Sequence, residues 1–239
     1  MNFPPPPGTL HERFGKDGFV VVSSGLKSAT IDAVIADFRR LVAAEGSLHS
    51  VRGALAKSPA AREAAQALVS LAALLLGTAG DGGRATECRA TKGTFFDKTE
   101  EANWLVPWHQ DLTITVNREH ALPGFSHWRQ KEGLWHTQPP LPVLERIVAL
   151  RLHLDDCPET HGALRVVPGS HRRGILSTEE TTRVAREPAV TVPAERGQIL
   201  AVSPLILHSS GRSESPTHRR VLHIEYSDAR LPAPLEWSA

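Results

Sequence analysis

The stretch VPWHQDLTITV, residues 106–116, sets an imidazole and a carboxylate two positions apart, just after a tryptophan and just before alternating threonines and aliphatics. Side chains two apart on an extended chain leave the same side of the backbone. The spacing therefore predicts a strand with His109, Asp111, Thr113 and Thr115 on a polar inner face, and Leu112, Ile114 and Val116 on an oily outer one. His109 and Asp111 are two members of a metal-ligand set. The third must come from another strand that faces the same interior.

The rest of the chain agrees with a barrel around that strand. GFVVVSSGL (18–26) reads as a short strand ended by turn residues. Residues 27–46 carry apolar positions Ile31, Val34, Ile35, Phe38, Leu41 and Val42 at helical spacing, stopped by Gly46. A second helix is expected over 58–77, with Ser58 placed as N-cap before Pro59 and Gly77 as the stop. GTAGDGG is a loop. After residue 84 short β-like runs alternate with turns: 85–97, 106–116, 146–155, 163–168, 189–192, 198–202, 205–208 and 219–227. Two helices ahead of about eight strands predict one α+β domain, mainly β. Its architecture would be a double-stranded β-helix, the jelly-roll or cupin-like barrel, with the N-terminal helices buttressing one face. Residues 1–9 form a proline-rich arm and 10–239 the single domain, with the barrel core at about 85–228. The stretch 117–145 is long, has no clear period and holds two tryptophans and three histidines. Loops of that length are usually lids or binding loops.

Bulk composition narrows the partners. The 239 residues carry 27 basic and 26 acidic side chains, a net charge of +1, which supplies no general attraction to nucleic acid or to a membrane surface. The two cysteines, Cys88 and Cys157, make no disulfide pattern and suit a reducing compartment. The opening MNFPPPPGTL lacks the basic and apolar regions of a signal peptide, and ALVSLAALLLGTAG is too short and interrupted to span a bilayer. The expectation is a cytoplasmic protein acting on a small molecule, with no nucleic acid or membrane partner. Nothing selects an oligomeric state.

ILAVSPLILHSSGRSESPTHRRVLHIEYS (199–227) offers the third ligand. His208 ends an apolar run, and Arg219 follows eleven residues later at the start of a strand whose parity aligns Arg219, Val221, His223 and Glu225. Two imidazoles and one carboxylate on one face of an iron leave positions open for a bidentate 2-oxoacid and dioxygen. The far carboxylate of 2-oxoglutarate then needs a fixed cation, and arginine's planar fork suits it. The neighbouring Arg220 reads as a surface residue.

H-x-D, a distant His and an Arg eleven residues beyond it resemble the phytanoyl-CoA dioxygenase family of Fe(II)/2-oxoglutarate oxygenases. FGKDGFVVVSSGL (14–26), HGALRVVPGSH (161–171) and RGQILAVSPLILHSSGRSESPTHRR (196–220) resemble three further family segments, in the family's order. The resemblance runs from about residue 12 to 228. His161 stands where the family often has Asn, and Gln198 where Asp is common; neither is a ligand position. The resemblance implies His109, Asp111 and His208 as iron ligands and Arg219 as the grip on 2-oxoglutarate, assisted by Ser210. Lys98, Asn103, Gln110 and Thr113 flank that site as further cosubstrate or supporting candidates. The implied cofactors are Fe(II), 2-oxoglutarate and O2. The implied reaction decarboxylates 2-oxoglutarate to succinate and CO2 and hydroxylates a substrate C–H bond; Asp111 occupies the position that related halogenases leave to halide.

Other readings stay open beside it. A cupin-like hydrolase or isomerase using zinc or manganese would fit the same barrel but would have no use for Arg219, and a non-catalytic binding barrel would have no use for an intact triad. Arg151 and His153 either line the barrel or lie on a solvated sheet face. Trp128, Trp135 and His136 either line a substrate pocket or anchor the loop. Arg118, Arg129 and Lys131 in that loop either favour an anionic substrate or are simply solvated. His171 reads as a structural turn residue.

Overall fold

The computed structural model describes residues 8–46, 50–77, 88–214 and 217–238. Most of the proline-rich arm (1–7), most of the loop after Gly77 and the expected strand start at 85–87 lie outside the described residues.

A helical layer precedes the barrel. Leu10–Asp17 (α1) opens with a capping box between Thr9 and Glu12 and closes at Gly18, φ 80°. It was not expected from periodicity, because Phe14 is its only buried residue. Phe19–Ser23 (β1), Ser28–Glu45 (α2), Ser50–Arg52 (β2), Ala54–Lys57 (α3), Pro59–Ala67 (α4) and Val69–Leu75 (α5) follow. Ser58 caps α4 ahead of Pro59, as its position suggested. The single helix expected over 58–77 is instead divided at Leu68, whose N–H is shared among the carbonyls of Ala64, Ala65 and Gln66. The buried stripe of Ala61, Ala64, Ala65, Leu68, Ala72 and Leu75 runs through the break, so periodicity alone reads one helix.

The barrel strands are Arg89–Lys98 (β3), Val106–His109 (β4), Ile114–Val116 (β5), Ser126–Lys131 (β6), Leu134–Gln138 (β7), Ile147–His153 (β8), Leu164–Val166 (β9), Val190–Val192 (β10), Gln198–Val202 (β11), His208–Ser210 (β12) and Arg219–Ser227 (β13). Leu141–Leu144 (α6) precedes β8, and Thr178–Val184 (α7) precedes β10. The strands form a six-stranded sheet β1-β11-β8-β13-β3-β2, a four-stranded sheet β10-β9-β12-β4 and a three-stranded sheet β5-β7-β6, with every pairing antiparallel. This is the double-stranded β-helix with buttressing helices.

Period-two alternation places the two faces of the large sheet. Val148, Leu150, Leu152 and Leu154 join Leu222, Ile224 and Tyr226 against the helices, and Phe95 stacks on Phe38 of α2 at 4.8 Å. Arg151, His153, Arg219, His223 and Glu225 face the other way, into the barrel. The interior is apolar at one end, where Ala149, Leu164, Val166, Leu200 and Val202 close it, and polar at the other.

Three further expectations are corrected. The strand 106–116 is two strands in different sheets: β4 pairs with β12, and β5 with β7. The stretch 117–145 is not a structureless loop but holds the β6–β7 hairpin and α6. A bulge between Ser126 and Arg129, with His127 at φ 55°, breaks the alternation that would have announced it. Its two-residue turn, Glu132–Gly133, has both residues at positive φ, the pattern that matches strand twist in tight hairpins. Arg220 is buried rather than a surface residue, because Asp155 binds its Nε at 2.8 Å and its Nη2 at 2.6 Å. Among the described residues no helix is long and apolar enough to cross a membrane.

Candidate metal centre

His208 opens β12 directly opposite His109, the last residue of β4. Cross-strand partners approach within about 4.5–5.5 Å at Cβ, and here the two rings lie 4.2 Å apart between centroids. Asp111 comes from the turn in which the chain leaves one sheet for another. Its backbone N–H is held by the Pro204 carbonyl at 2.8 Å, and its oxygens lie 3.5 Å from His109 Nε2 and 3.7 Å from His208 Nε2. One ligand atom from each of the three lies within 4.8 Å of the other two.

The backbone fixes which nitrogens point at that common space. His109 Nδ1 donates to the Pro107 carbonyl at 2.9 Å, and His208 Nδ1 donates to the Ile206 carbonyl at 3.0 Å. A carbonyl only accepts, so each Nδ1 carries a hydrogen, and each Nε2 is the nitrogen turned to the common space. Burial pushes His208 down to about 4, which keeps it neutral. Burial would raise Asp111, but the His109 hydrogen bond and the surrounding histidines outweigh it and hold the carboxyl well below the usual range. Burial would lower His109, but its hydrogen bond to Asp111 and that carboxylate's charge raise it, so the proton it shares with Asp111 is the one a metal would displace. Two imidazoles and a carboxylate are the set suited to a divalent transition metal with open positions.

The triad borders a cavity of about 280 Å³. Beyond it, the lining includes Thr113, Ser210, Arg219, Arg151, His223 and Glu225. Arg219 is 3 % exposed, its Nε has no hydrogen-bond partner, and its guanidinium faces the Cys157 sulfur. Arg151 bonds His223 Nδ1 at 3.0 Å, keeps an unpartnered Nε and is pushed down to about 10 by burial and by Arg219. Lys98 pairs with Arg219 across β3 and β13, and its Nζ donates to Ser210 Oγ at 3.0 Å and to the Gly211 carbonyl at 2.6 Å.

Other sequence candidates land elsewhere. Asn103 does not line this cavity; its amide clamps the backbone of Ser213 at both ends, 2.7 Å each. Gln110 faces away into a structural role, donating to the Gly174 and Leu205 carbonyls and accepting from Leu176 N–H. Trp128 and Trp135 pack in an apolar cluster with Leu144 and Ile147 and do not line the cavity. His153 is buried beside it with neither ring nitrogen partnered, and burial pushes it to about 3. His136, Arg129 and Lys131 do line the cavity, whereas Arg118 does not. His171 is structural: its Nε2 meets the Gly15 carbonyl at 3.1 Å, and its ring fills the space that a Cβ on Gly18 would need. That contact joins the opening segment to HGALRVVPGSH, two stretches far apart in sequence.

Sequence reading missed Lys92 and Arg52 as lining residues. Lys92 was legible, since Lys92, Thr94, Phe96 and Lys98 alternate inward along β3; Arg52 lies on a three-residue strand that carries no period.

Known proteins match this arrangement. L-proline trans-4-hydroxylase of Streptomyces griseoviridis is 28% identical over 157 residues, covering 54% of this chain and 49% of that protein. Ectoine dioxygenase of Nocardia farcinica is 25% identical over 144 residues, covering 49% and 48%. The chain thus spans about half the length of these relatives. The crystal structure of AviO1 from Streptomyces viridochromogenes Tue57 superposes with a TM-score of 0.66 at 25% identity, covering 94% of this chain and 96% of that one. The family model for phytanoyl-CoA dioxygenase matches residues 14–221, a span that starts in α1 and takes in the triad, Ser210 and Arg219. A match over that much of a barrel with its polar interior intact establishes that the chain belongs to the phytanoyl-CoA dioxygenase (PhyH) family.

Proposed function

We propose that the protein is a non-haem Fe(II)/2-oxoglutarate-dependent dioxygenase that hydroxylates a C–H bond of a small molecule. The observation that carries this reading is the convergence of His109, Asp111 and His208 on one cavity with the buried, incompletely paired Arg219. The donor set fits ferrous iron, and a buried cation with no carboxylate partner among the described residues fits the far end of a dicarboxylate. A zinc hydrolase does not account for the buried Arg219, and a passive binding barrel does not account for the intact triad.

His109 Nε2, His208 Nε2 and an Asp111 oxygen would hold the iron, and Arg219 with Ser210 would hold the 2-oxoglutarate tail. Bound iron, 2-oxoglutarate and O2 together supply oxidative decarboxylation to succinate and CO2, with one oxygen atom delivered to the substrate. The chain's own part is positional. The carbonyls of Pro107 and Ile206 keep both imidazoles in the metal-binding tautomer. Phe96, Trp104, Val106 and Leu164 give the cavity apolar wall that excludes water.

Anaerobic titration with Fe(II) and 2-oxoglutarate tests this, reading the visible metal-to-ligand charge-transfer band. The band is expected in the wild type, absent in His208→Ala, and reached only at higher 2-oxoglutarate in Arg219→Ala. Losing charge-assisted hydrogen bonds worth about 1.5–3 kcal/mol should weaken that affinity about 10- to 100-fold. A folded, iron-loaded wild type without the band would refute the reading.

A further inference from the structure

The cavity has a second cationic pole. In the β13–β3 register Arg219 opposes Lys98, whereas Glu225, six residues on, opposes Lys92. At about 3.3 Å per residue the two pairs stand about 20 Å apart along the strands. The triad borders the space between them. Around Lys92 gather Arg52 of β2 and Arg129 and Lys131 of β6. Arg129 also lines a second cavity, shared with His109, Asp111 and Thr113, so it stands at the mouth over the metal ligands.

Two of these cations are compensated within the fold. Lys92 pairs with Glu225 at 2.7 Å, and Arg52 pairs with Glu132. Arg129 and Lys131 have no carboxylate partner among the described residues. The bulge in β6 brings Arg129 into register with His136 on β7. His136 is 4 % exposed, lines the same cavity, and its Nε2 is buried without a hydrogen-bond partner. Burial, with the charges of Lys92, Arg129, Lys131 and Arg52, pushes it down to about 4, so all four cations act on one neutral ring. Across the whole lining, six cationic side chains face two carboxylates, Asp111 and Glu225. Iron(II) and the 2-oxoglutarate dianion add no net charge, so loading the site as proposed leaves that excess standing.

We propose that the Lys92 pole is the substrate's anchor, and that it takes an oxyanionic group, carboxylate or phosphate ester, between Arg129, Lys131 and His136 Nε2. This rests on the Fe(II)/2-oxoglutarate reading, which assigns the Arg219 pole to the cosubstrate. The anchored group would leave the remainder of a small molecule lying toward the triad.

The test is anaerobic calorimetry on protein loaded with Fe(II) and saturating 2-oxoglutarate, which occupies the Arg219 pole. The probes are hexanoate, butyl phosphate and neutral hexanamide, against the wild type and an Arg129→Gln/Lys131→Gln double variant, both positions being exposed. At least one anion is expected to bind, hexanamide not to, and the double variant to lose about tenfold or more in affinity, as for charge-assisted contacts. The stronger of the two anions identifies the source of the charge. Equal binding of hexanamide, unchanged affinity in the double variant, or no binding of either anion would overturn the proposal. The charge-transfer band separates the two readings: it should be the same in both proteins. Its absence from the wild type would strike the iron and 2-oxoglutarate assignment, while the same titrations on metal-free protein would still decide the anion anchor.

Discussion

Lys98 is fully buried beside two arginines, its ammonium turned to Ser210, to the Gly211 carbonyl and over the Trp104 ring. Burial, then Arg219 and Arg151, push it down to about 7. An unfolded lysine titrates near 10.4. Between those values the unfolded chain binds more protons than the native one, so this group makes stability rise with pH from about 7 upward; below 7 its penalty is complete. Lys98→Met should therefore flatten the rise in urea midpoint between pH 7 and pH 9 in the ligand-free protein. An unchanged slope would show that Lys98 stays charged. The site's residue-level chemistry was legible in sequence to different depths. His109, Asp111, His208 and Arg219 stand out by type and spacing; parity sets Arg151 and His223 each on one face of its strand, and the pairing of β8 with β13 turns that face inward. Asn103 and Gln110 have the right chemistry for ligand binding, but backbone groups remote in sequence consume their hydrogen bonds.

At the scale of the element, the turn between β4 and β5 is what makes the triad. A regular strand would put Asp111 on the His109 face, yet the backbone here changes sheets, and Gln110 pins the change. Its amide joins Gly174, Leu205 and Leu176 at 2.6–2.9 Å. Gln110→Ala would leave three backbone groups short of a partner at about 1 kcal/mol or more each. The expected outcome is a loss of about 2–3 kcal/mol in chemical denaturation together with weaker Fe(II) binding, because the Asp111 turn loosens. Lost stability with wild-type metal affinity would show that the Pro204 carbonyl alone sets the carboxylate. Element boundaries failed in sequence where a local exception hid the period, as with the β6 bulge. At α7 the signal is local, since Ser177 and Glu180 form a capping box at its start.

For the molecule as a whole, the large sheet is a partition between an apolar helix layer and a polar cavity. Phe38 of α2 and Phe95 of β3 stack between the helix layer and the sheet, both essentially inaccessible. Phe38→Ala should cost about 3–5 kcal/mol, the usual loss for emptying a buried phenyl site. Urea unfolding should show this as a lower midpoint at an unchanged slope; a loss below about 1 kcal/mol would mean that the helix layer collapses into the gap and is only loosely coupled to the barrel. Sequence by itself determined the strands that alternate and the helices that bury one stripe, because these depend on a period of two or 3.6 residues along one chain, and it marked His109, Asp111, His208 and Arg219 as candidates by residue type and motif order. Only the tertiary structure decided that Asp111 reaches the histidines through a change of sheet, that His171 locks the opening segment, and that Arg52, Lys92, Arg129 and Lys131 share one pole of the cavity. Those facts depend on the register between strands far apart in sequence, and register is set by which faces can be buried together across the whole barrel.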